Sequence, residues 1–374
     1  MKPRPLKVLF LTWDFPPARG GIQVWMFELA RRLPDADVTV LAPIAAGARR
    51  FDATSGLKVR RLQGASFGQF PWLLQLVIVT LFRALVNRPD LIVCGHVIAG
   101  PAALLAKTLL GVPFVVFTHA FEIRRRRRRW LVTQILRSAA VVIANSEFTR
   151  DSVLTHGVAP EKIRIVYPGT DVTAVDVADE PAVGEHAPTI LSVSRLVDLY
   201  KGCDTVIRAL PLIRAKCPGA IYVVVGSGSL REFLERLAAS LGVQDAVRFE
   251  GEVTEGRLSQ LYASCDVFVQ LSREARTGGG AEGFGIVCLE AGRAGKPVVA
   301  GRSGGLRDAI ADGASGLLVD PMDIGAVSDA VVALLLDPER RAAMGAFARA
   351  RVVGNFSLEH MAGTARAVFG EAAA

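Results

Sequence analysis

Short β-branched runs alternate with helix-length segments along the whole chain, and this alternation limits the folds open to it. In the first half the predicted strands read KVLFLT, DVTVLA, KVRRL, DLIVCG, FVVFTH and AVVIANS. In the second half they read TILSVSR, AIYVVVG, AVRFEG, DVFVQLS, PVVAG and GLLVD. Strand–helix alternation of this kind predicts parallel sheets that are covered by helices on both faces.

The alternation occurs in two series, and a chain of 374 residues is too long for one ordinary core. The series are separated near YPGTDVTAVDVADEPAVGEHAPT, a span without periodicity that is typical of a linker. We therefore expect an α/β fold with two Rossmann-like, doubly wound domains that face each other across a cleft. The N-terminal domain would comprise residues 1–172, completed by a C-terminal helix in residues 356–374, and the C-terminal domain residues 173–355. Ligands of such sheets bind at the carboxyl ends of the strands.

The net charge of +8 is unevenly distributed. Residues 1–172 hold 24 Lys and Arg against 11 Asp and Glu, or +13, and the remainder holds 20 against 25, or −5. A run of six arginines directly before an aromatic residue contributes much of this charge: Arg124, Arg125, Arg126, Arg127, Arg128, Arg129 and Trp130. The run has no interleaved aromatic residues, so it favours an anionic membrane surface over nucleic acid. A solvated charged loop is the alternative.

The cysteines and the N-terminus favour a cytoplasmic protein. The five cysteines are scattered and form no C-x-x-C pair, which is typical of a reducing compartment and indicates neither a disulfide framework nor a zinc site. The first apolar run is interrupted by Asp14 and is expected to be a strand, not a signal peptide. With the arginine run, these features predict a cytoplasmic enzyme that is peripheral on the inner face of the cell membrane.

The most hydrophobic segment, PWLLQLVIVTLFRALV, is interrupted by Gln75, Thr80 and Arg83. It is shorter and more polar than the roughly 20 apolar residues that span a bilayer. We interpret it as a buried crossover helix before the strand DLIVCG, with a membrane-contact role as the alternative.

The segment GGGAEGFGIVCLEAGRAGKPVVAGRSGGLRD holds two glutamates, Glu282 and Glu290, with an apolar stretch between them. Glu282 follows a predicted strand, Gly283 and Gly285 free the backbone, and a helix is predicted to begin near Ile286. The start of a helix offers unpaired N–H groups that suit a phosphate. One turn further on, the Glu290 carboxylate could accept hydrogen bonds from the vicinal hydroxyls of a ribose, and Glu282 could do the same for a hexose. The pattern predicts a nucleotide-sugar site, with two solvated surface glutamates as the alternative.

Two other predicted strand ends supply matching features. ILSVSRLVDLYKGCD places Arg195 just after a strand and Lys201 just before a helix, where both could meet a diphosphate. VVVGSGS adds Gly226 and Gly228, where the backbone passes close to a ligand or turns tightly. As a dinucleotide fingerprint this stretch is weak because Arg231 stands where the third glycine belongs, which argues against an NAD-dependent oxidoreductase.

Several segments together carry a family resemblance: PPARGGIQVWMFELARRL, FTHAFE, ANSEFTRDSV, VYPGTD, SVSRLVDLYKG, VVGSGS, FEGEV, EGFGIVCLEAGRAGKPVVAGRSGG and GLLVDP. On these segments the chain resembles retaining glycosyltransferases of the GT4 family, which have the GT-B fold. PPARGGIQ and VAGRSGG are most similar to bacterial α-mannosyltransferases that use GDP-mannose, including those that build phosphatidylinositol mannosides. The resemblance implies transfer of a hexose, namely mannose from GDP-mannose, to a lipid-linked or saccharide acceptor. A UDP-sugar donor and a GT-B sugar-nucleotide epimerase stay open as alternatives.

The resemblance also implies roles for single residues. Arg195 and Lys201 would neutralise the leaving diphosphate, and Glu290 would hold the ribose hydroxyls. Glu282 would contact the transferred sugar, and the backbone of Phe284 and its two following residues would meet sugar and phosphate. Retention implies that the acceptor hydroxyl attacks from the face of the leaving group.

Further contacts with the donor are implied for Gly20 and Gly21, for His119 and for the backbone of Val253. For His119 the alternative is a loop histidine bonded to its own backbone. The Asp35–Asp37 stretch resembles the Asp-x-Asp metal motif of other transferases but falls between a helix and a strand. We interpret it as a turn and expect no metal and no other cofactor.

Overall fold

The computed structural model describes residues 4–18, 20–33, 35–63, 69–124, 129–172, 187–275 and 280–374. The chain divides into two compact units. Met1–Gly169 with Leu358–Ala374 forms one unit, here the N-terminal domain, and Thr170–Ser357 forms the other, the C-terminal domain. The sequence analysis predicted boundaries after residue 172 and before residue 356.

Across the described residues each domain contains one parallel sheet. The strands of the N-terminal domain are β1 Leu6–Leu11, β2 Ala36–Pro43, β3 Lys58–Leu62, β4 Leu91–Cys94, β5 Phe114–Thr118, β6 Val141–Ala144 and β7 Ile163–Ile165. Those of the C-terminal domain are β8 Thr189–Val193, β9 Ile221–Val225, β10 Val247–Gly251, β11 Val267–Gln270, β12 Val298–Gly301 and β13 Gly316–Val319. Their orders are β3-β2-β1-β4-β5-β6-β7 and β10-β9-β8-β11-β12-β13. Each order reverses once, between β1 and β4 and between β8 and β11.

The described α-helices lie between these strands or follow the last of them. They are α1 Gly21–Arg31, α2 Ala48–Thr54, α3 Gln69–Asn87, α4 Gly100–Leu110, α5 Phe121–Arg124, α6 Arg129–Ser138, α7 Glu147–Leu154, α8 Cys203–Lys216, α9 Arg231–Ser240, α10 Glu255–Ser264, α11 Ile286–Arg293, α12 Leu306–Ala309, α13 Ile324–Leu335, α14 Pro338–Asn355 and α15 Leu358–Ala373. Short polar side chains begin several of them. Ser146, Thr254 and Asp323 each accept a hydrogen bond from a backbone N–H in the first turn of α7, α10 and α13.

Both faces of the N-terminal sheet are buried, as expected for parallel strands. Leu9 and Leu11 of β1 pack in a core with α3, α4 and α6. Val8 and Phe10, which alternate with them, pack in a second core with α1 and α15. The predicted pair of parallel, helix-covered sheets is therefore confirmed. In the C-terminal domain, α8 and α13 contribute to the core around β8, β9 and β11.

The apolar segment before β4 forms α3, as a crossover helix between β3 and β4. The prediction that this helix is buried is wrong for one of its faces. Trp72, Leu76, Thr80 and Ala84 are buried, whereas the opposite face is open because no described element packs on it. Within the described part of the chain, none of the helices combines the length and the hydropathy that crossing a membrane requires.

Candidate active site

Three of the predicted site residues of the C-terminal domain lie at the point where its strand order reverses. β8 and β11 are neighbours there. The loop after β8 carries Arg195 and Lys201, and the loop after β11 carries Glu282. The helix that follows Glu282 begins at Ile286, as the sequence predicted. In open α/β sheets this position, beyond the carboxyl ends of the strands, is where ligands bind.

Lys201 and Glu282 form an ion pair at the centre of this region. Lys201 Nζ lies 2.7 Å from Glu282 Oε2, and the two side chains are 16% and 14% exposed. The hydroxyl of Ser272, which follows β11, donates to the same carboxylate oxygen at 3.3 Å. The pair joins two loops whose residues are 81 positions apart. The ion pair therefore holds a cation and a carboxylate next to each other at the carboxyl edge of the sheet.

The charges of this pair stabilise each other. Burial alone would raise the pKa of Glu282, but Lys201 and the Ser272 hydroxyl outweigh it and hold that pKa below its ordinary value of 4.5. Burial would lower the pKa of Lys201, but Glu282 and Tyr200 outweigh it, so the pKa of Lys201 is raised. Both groups are therefore charged at neutral pH.

Arg195 differs from Lys201 in its surroundings. Its side chain is exposed, and within the part of the chain that the structure describes its guanidinium has no ion pair or hydrogen bond. The two cations line the same shallow pocket, together with Asp198 and Asp204. The pocket therefore combines one cation that is already paired and one that is available to an anion.

Glu290 has a neutral partner instead of a cation. The hydroxyl of Tyr262, on α10, donates to Glu290 Oε2 at 2.7 Å. Burial raises the pKa of Glu290, and the Tyr262 hydrogen bond and nearby Arg293 offset only part of that rise. Sequence reasoning missed Tyr262, because nothing in its local pattern indicates a partner 28 residues away. Val253 lies between β10 and α10, at the same edge of the sheet.

Two glycine pairs hold the loops of this edge together. A Cβ atom on Gly226 would lie 2.0 Å from the Ser194 carbonyl oxygen, and one on Gly228 would lie 2.3 Å from that of Leu196. Any other residue at these positions would push the loop of Arg195 away. This close approach accounts for both glycines, and their contact with a donor stays a prediction.

The second glycine pair supports the loop of Glu282. The sequence analysis did not predict this structural role. A Cβ atom on Gly304 would lie 2.4 Å from the Glu282 carbonyl oxygen, and one on Gly305 would lie 2.0 Å from that of Gly283. The signal was present in the sequence as the last two glycines of VAGRSGG. The side chain of Phe284, in the same loop, is buried, and its ring centroid lies 5.6 Å from that of Phe356.

His119 follows β5 in the N-terminal domain and is 5% exposed. Its Nε2 lies 2.8 Å from the Gly95 carbonyl oxygen. Because a carbonyl can only accept, Nε2 carries the proton and Nδ1 keeps a lone pair, and Nδ1 has no partner among the described residues. Burial lowers the pKa of His119, which favours the neutral ring. The bond to Gly95, 24 residues away, means that this histidine is not bonded to its own local backbone.

Gly20 and Gly21 begin α1 after β1, beside the reversal point of the N-terminal sheet. Gly20 has φ +150°, and a Cβ atom there would lie 2.3 Å from the side-chain oxygen of Gln23. The amide of Gln23 donates to Asp14 Oδ1 at 2.8 Å. The predicted contacts of His119, Gly20 and Gly21 with a donor sugar stay predictions.

Of the arginine run, Arg125 to Arg128 lie outside the described residues. Arg124 lies over the ring of Phe148 at 4.8 Å, and Arg129 donates to the Thr155 carbonyl at 3.0 Å. Trp130 is 72% exposed.

The carboxylates of the Asp-x-Asp stretch are both paired with cations. Asp35 lies 3.2 Å from Arg366, and Asp37 lies 2.6 Å from Lys58. Asp37 belongs to β2 and Asp35 to the turn before it. Among the described residues, three or more His, Cys, Asp or Glu side chains do not cluster in a way that could hold a metal ion.

Comparison with known proteins identifies the family. The family profile "Glycosyltransferase Family 4" matches residues 19–174, and "Glycosyl transferases group 1" matches residues 177–351. A GDP-mannose-dependent alpha-(1-6)-phosphatidylinositol monomannoside mannosyltransferase of Mycobacterium tuberculosis is 34% identical, over 95% of this chain and 96% of the relative. A D-inositol 3-phosphate glycosyltransferase 2 of Catenulispora acidiphila is 32% identical, over 87% of this chain and 84% of the relative.

Solved structures agree on the fold. The Anabaena protein HepE in complex with UDP superposes with a TM-score of 0.79 at 22% identity, covering 98% of this chain and 100% of that protein. Sucrose-phosphate synthase from Thermosynechococcus elongatus gives a TM-score of 0.79 at 21% identity, covering 98% of each chain. The chain therefore belongs to glycosyltransferase family 4, has the GT-B fold with two doubly wound parallel-sheet domains, and is a glycosyltransferase.

Proposed function

We propose that the protein transfers mannose from GDP-mannose to a lipid-linked acceptor, with retention of the anomeric configuration and without a metal ion. The observation that carries this proposal is the buried Lys201–Glu282 pair at the reversal point of the C-terminal sheet, just before the helix that holds Glu290. The name of the Mycobacterium tuberculosis relative supports the choice of donor and acceptor.

In this proposal the donor diphosphate binds between Arg195 and Lys201. Lysine has three N–H donors, so Lys201 keeps its bond to Glu282 and directs another N–H toward a phosphate oxygen. Arg195 brings a planar fork that matches phosphate oxygens. When the bond to the sugar breaks, negative charge develops on the departing phosphate, and the two cations stabilise that charge.

The two glutamates bind hydroxyl groups at opposite ends of the donor. Tyr262 occupies one oxygen of Glu290, so the other oxygen is the acceptor for the ribose hydroxyls. Lys201 and Ser272 fix the carboxylate of Glu282, which accepts from a hydroxyl of the transferred sugar. An ionised carboxylate accepts strongly, and both roles need the carboxylate form.

The same arrangement supports the proposal of retention and metal independence. The departing phosphate takes the proton of the acceptor hydroxyl on the face it leaves, so no separate base is required. Arg195, Lys201 and the first N–H groups of α11 supply the positive charge that a metal ion supplies in other transferases.

The lipid-linked acceptor is supported by the basic N-terminal half and the arginine run before Trp130. Basic residues near an anionic surface contribute about 1 kcal/mol each, so four or more engaged arginines would hold the enzyme reversibly on the cytoplasmic face of the membrane. Co-sedimentation with anionic vesicles tests this step, with Arg124–Arg129 changed to Ser as the variant. Binding by the wild type and weaker binding by the variant at low salt are expected. Equal binding by both would remove the run from the proposal.

The donor, the acceptor and the metal requirement are tested in one assay. Purified protein is incubated with labelled GDP-mannose, UDP-glucose or UDP-N-acetylglucosamine, and with either a bacterial lipid extract or D-inositol 3-phosphate. We expect label from GDP-mannose in the lipid fraction, α-linked by NMR, and unchanged in excess EDTA. Label only from a UDP-sugar would overturn the donor, and label only in inositol phosphate would overturn the acceptor. Loss of activity in EDTA that Mg2+ or Mn2+ restores would overturn metal independence.

A further inference from the structure

Helix α3 has two apolar faces, and only one of them is covered. The covered face is formed by Trp72, Leu76, Thr80 and Ala84, all buried in the core of the N-terminal domain. On the open face five large apolar side chains are 56–62% exposed: Leu74, Ile78, Phe82, Leu85 and Val86. We call these five residues the α3 stripe.

The spacing of the α3 stripe places its members in one line. Positions 74, 78, 82 and 85 follow each other by four, four and three residues, which keeps them on one side of a helix. At 1.5 Å per residue the stripe is about 18 Å long. Scattered exposed apolar residues are common on soluble proteins, but a continuous row of this kind marks an interaction surface.

The neighbouring helices extend this surface. α4 packs against α3 and α6 packs against α4, so the three form one layer over the same core. Leu109 of α4 is 61% exposed, and Trp130 of α6 is the most exposed large apolar residue described. The outer side of the layer therefore presents apolar residues from all three helices.

The charge of this layer has one sign. α3, α4 and α6 contain no Asp or Glu, and they contain Arg83, Lys107, Arg129 and Arg137. Between Asp52 and Glu122 the chain has a single acidic residue, which is already held by an arginine and a backbone N–H. The arginine run leads directly into α6. An apolar row within a basic surface complements an anionic lipid interface, where apolar groups insert and cations meet headgroups.

We propose that the α3 stripe inserts into the headgroup region of an anionic bilayer, with the basic start of α6 in the same helix layer, on the far side of α4. This inference rests on the membrane association proposed above and names the surface that performs it; the sugar-transfer chemistry does not enter. A second copy of the chain fits the surface less well, because a symmetric contact would bring two basic layers face to face.

The first test uses salt to distinguish vesicle binding by the α3 stripe from vesicle binding by the arginines. In the stripe variant, Leu74, Ile78, Phe82 and Leu85 are changed to Gln, a good helix former of similar size. The control variant changes four exposed apolar residues of the C-terminal domain to Gln: Leu212, Leu336, Phe347 and Val353. Binding to vesicles of phosphatidylcholine and phosphatidylglycerol is measured at 0.1 M and 1 M NaCl. Salt screens the arginines but not an inserted apolar row.

We expect the wild type and the control variant to keep part of their binding at 1 M NaCl. The stripe variant should bind at least tenfold more weakly there, while an Ile78→Leu, Phe82→Leu variant should bind like the wild type. Equal binding of the stripe variant and the wild type at 1 M NaCl would overturn the proposal. So would a wild type that binds no vesicles but sediments as a dimer which the stripe variant dissociates.

A second measurement does not depend on the fold of the stripe variant. All five native cysteines are buried, so Ile78→Cys can be labelled with a polarity-sensitive dye, with Leu336→Cys as the control site. Vesicles should shift the emission of the dye to the blue at position 78 and not at position 336. No shift at position 78, or the same shift at both, would overturn insertion. Neither measurement depends on sugar transfer, so failure of the catalytic proposal can be distinguished from failure of membrane insertion.

Discussion

Glu282 and Glu290 lie eight positions apart on one segment, yet their surroundings shift the carboxyl pKa in opposite directions. The pKa of Glu282 is lowered, because Lys201 and Ser272 outweigh burial. That of Glu290 is raised, because burial outweighs the Tyr262 hydroxyl and Arg293. The difference is the charge of the direct partner, an ammonium group in one case and a phenol in the other.

This difference separates two kinds of contribution to the site. The Lys201–Glu282 pair keeps two charges in place and supports the folded state, although desolvation reduces the net gain. Glu290 carries a charge that burial disfavours and that its phenol partner does not neutralise. A carboxylate at a position where its charge destabilises the folded protein is explained by a role in binding a ligand.

The largest expected effect comes from removing the cation. Lys201→Ala leaves the buried Glu282 carboxylate unpaired and takes away a charge opposite the diphosphate. We expect the kcat of sugar transfer to fall by about 100-fold or more, and the free energy of unfolding to fall by about 3 kcal/mol. Steady-state kinetics on folded protein and urea unfolding measure the two effects.

Lys58→Ala is the matched control. Lys58 pairs with Asp37 at 2.6 Å, but the side chains are 70% and 43% exposed, so the loss of stability should stay under about 1 kcal/mol. Its kcat should not change. The double variant Lys201→Ala, Glu282→Ala should be more stable than Lys201→Ala alone. Equal losses in the two single lysine variants would contradict the role of burial.

The second effect is that two conservative substitutions, Glu282→Gln and Glu290→Gln, should shift the midpoint of thermal unfolding in opposite directions. Glu282→Gln removes the charge that Lys201 needs and should lower the midpoint of thermal unfolding. Glu290→Gln removes a disfavoured charge while the amide oxygen still accepts from Tyr262, so it should raise the midpoint, by about 2 °C. Glu290→Gln should also weaken GDP binding about tenfold, which is the loss expected for one charged hydrogen bond. Calorimetry with GDP measures the affinity, and shifts of the same sign in both variants would contradict the comparison.

The sequence predicted the parts of this site that depend on local pattern. The placement of Arg195, Lys201 and Glu282 after strands follows from the alternation of strands and helices, and the start of α11 at Ile286 follows from the glycines before it. The family and the fold were also predicted and are confirmed. The direct pairing of Lys201 with Glu282 was not predicted, because it depends on how two loops 81 residues apart meet.

Two other features could not be predicted for the same physical reason. Tyr262 reaches Glu290 only because α10 and α11 lie near each other in the folded domain. The apolar pattern of α3 indicated a helix, but burial depends on which elements pack on each face, and the pattern is apolar on both. The expectation of a buried helix assumed a cover that the described structure does not provide.

The third effect concerns Tyr262, a positioning residue that acts through Glu290. Tyr262→Phe removes one hydroxyl and leaves the carboxylate free to turn. We expect the KM for the donor to rise about fivefold, near the loss of one hydrogen bond, while kcat at saturating donor changes less than twofold. Tyr167→Phe, in the other domain, is the control and should change neither. A fall in kcat without a change in KM would contradict the positioning role.

The smallest expected effect is the pH dependence of the contributions that Glu282 and Glu290 make to the free energy of unfolding. A raised carboxyl pKa means that the folded state takes up a proton before the unfolded state as pH falls, so the penalty from Glu290 shrinks on acidification. The advantage of Glu290→Gln should therefore be full near pH 7 and vanish below about the ordinary value of 4.5. A lowered pKa has the opposite sign, so the stability that Glu282 provides is present above 4.5 and is lost as pH falls through its lower folded value. Urea unfolding of the wild type, Glu282→Gln and Glu290→Gln, from pH 7 to well below pH 4, measures both. The Glu290→Gln curve should meet the wild type at a higher pH than the Glu282→Gln curve does, and the reverse order would mean that the partner of each carboxylate has been assigned wrongly.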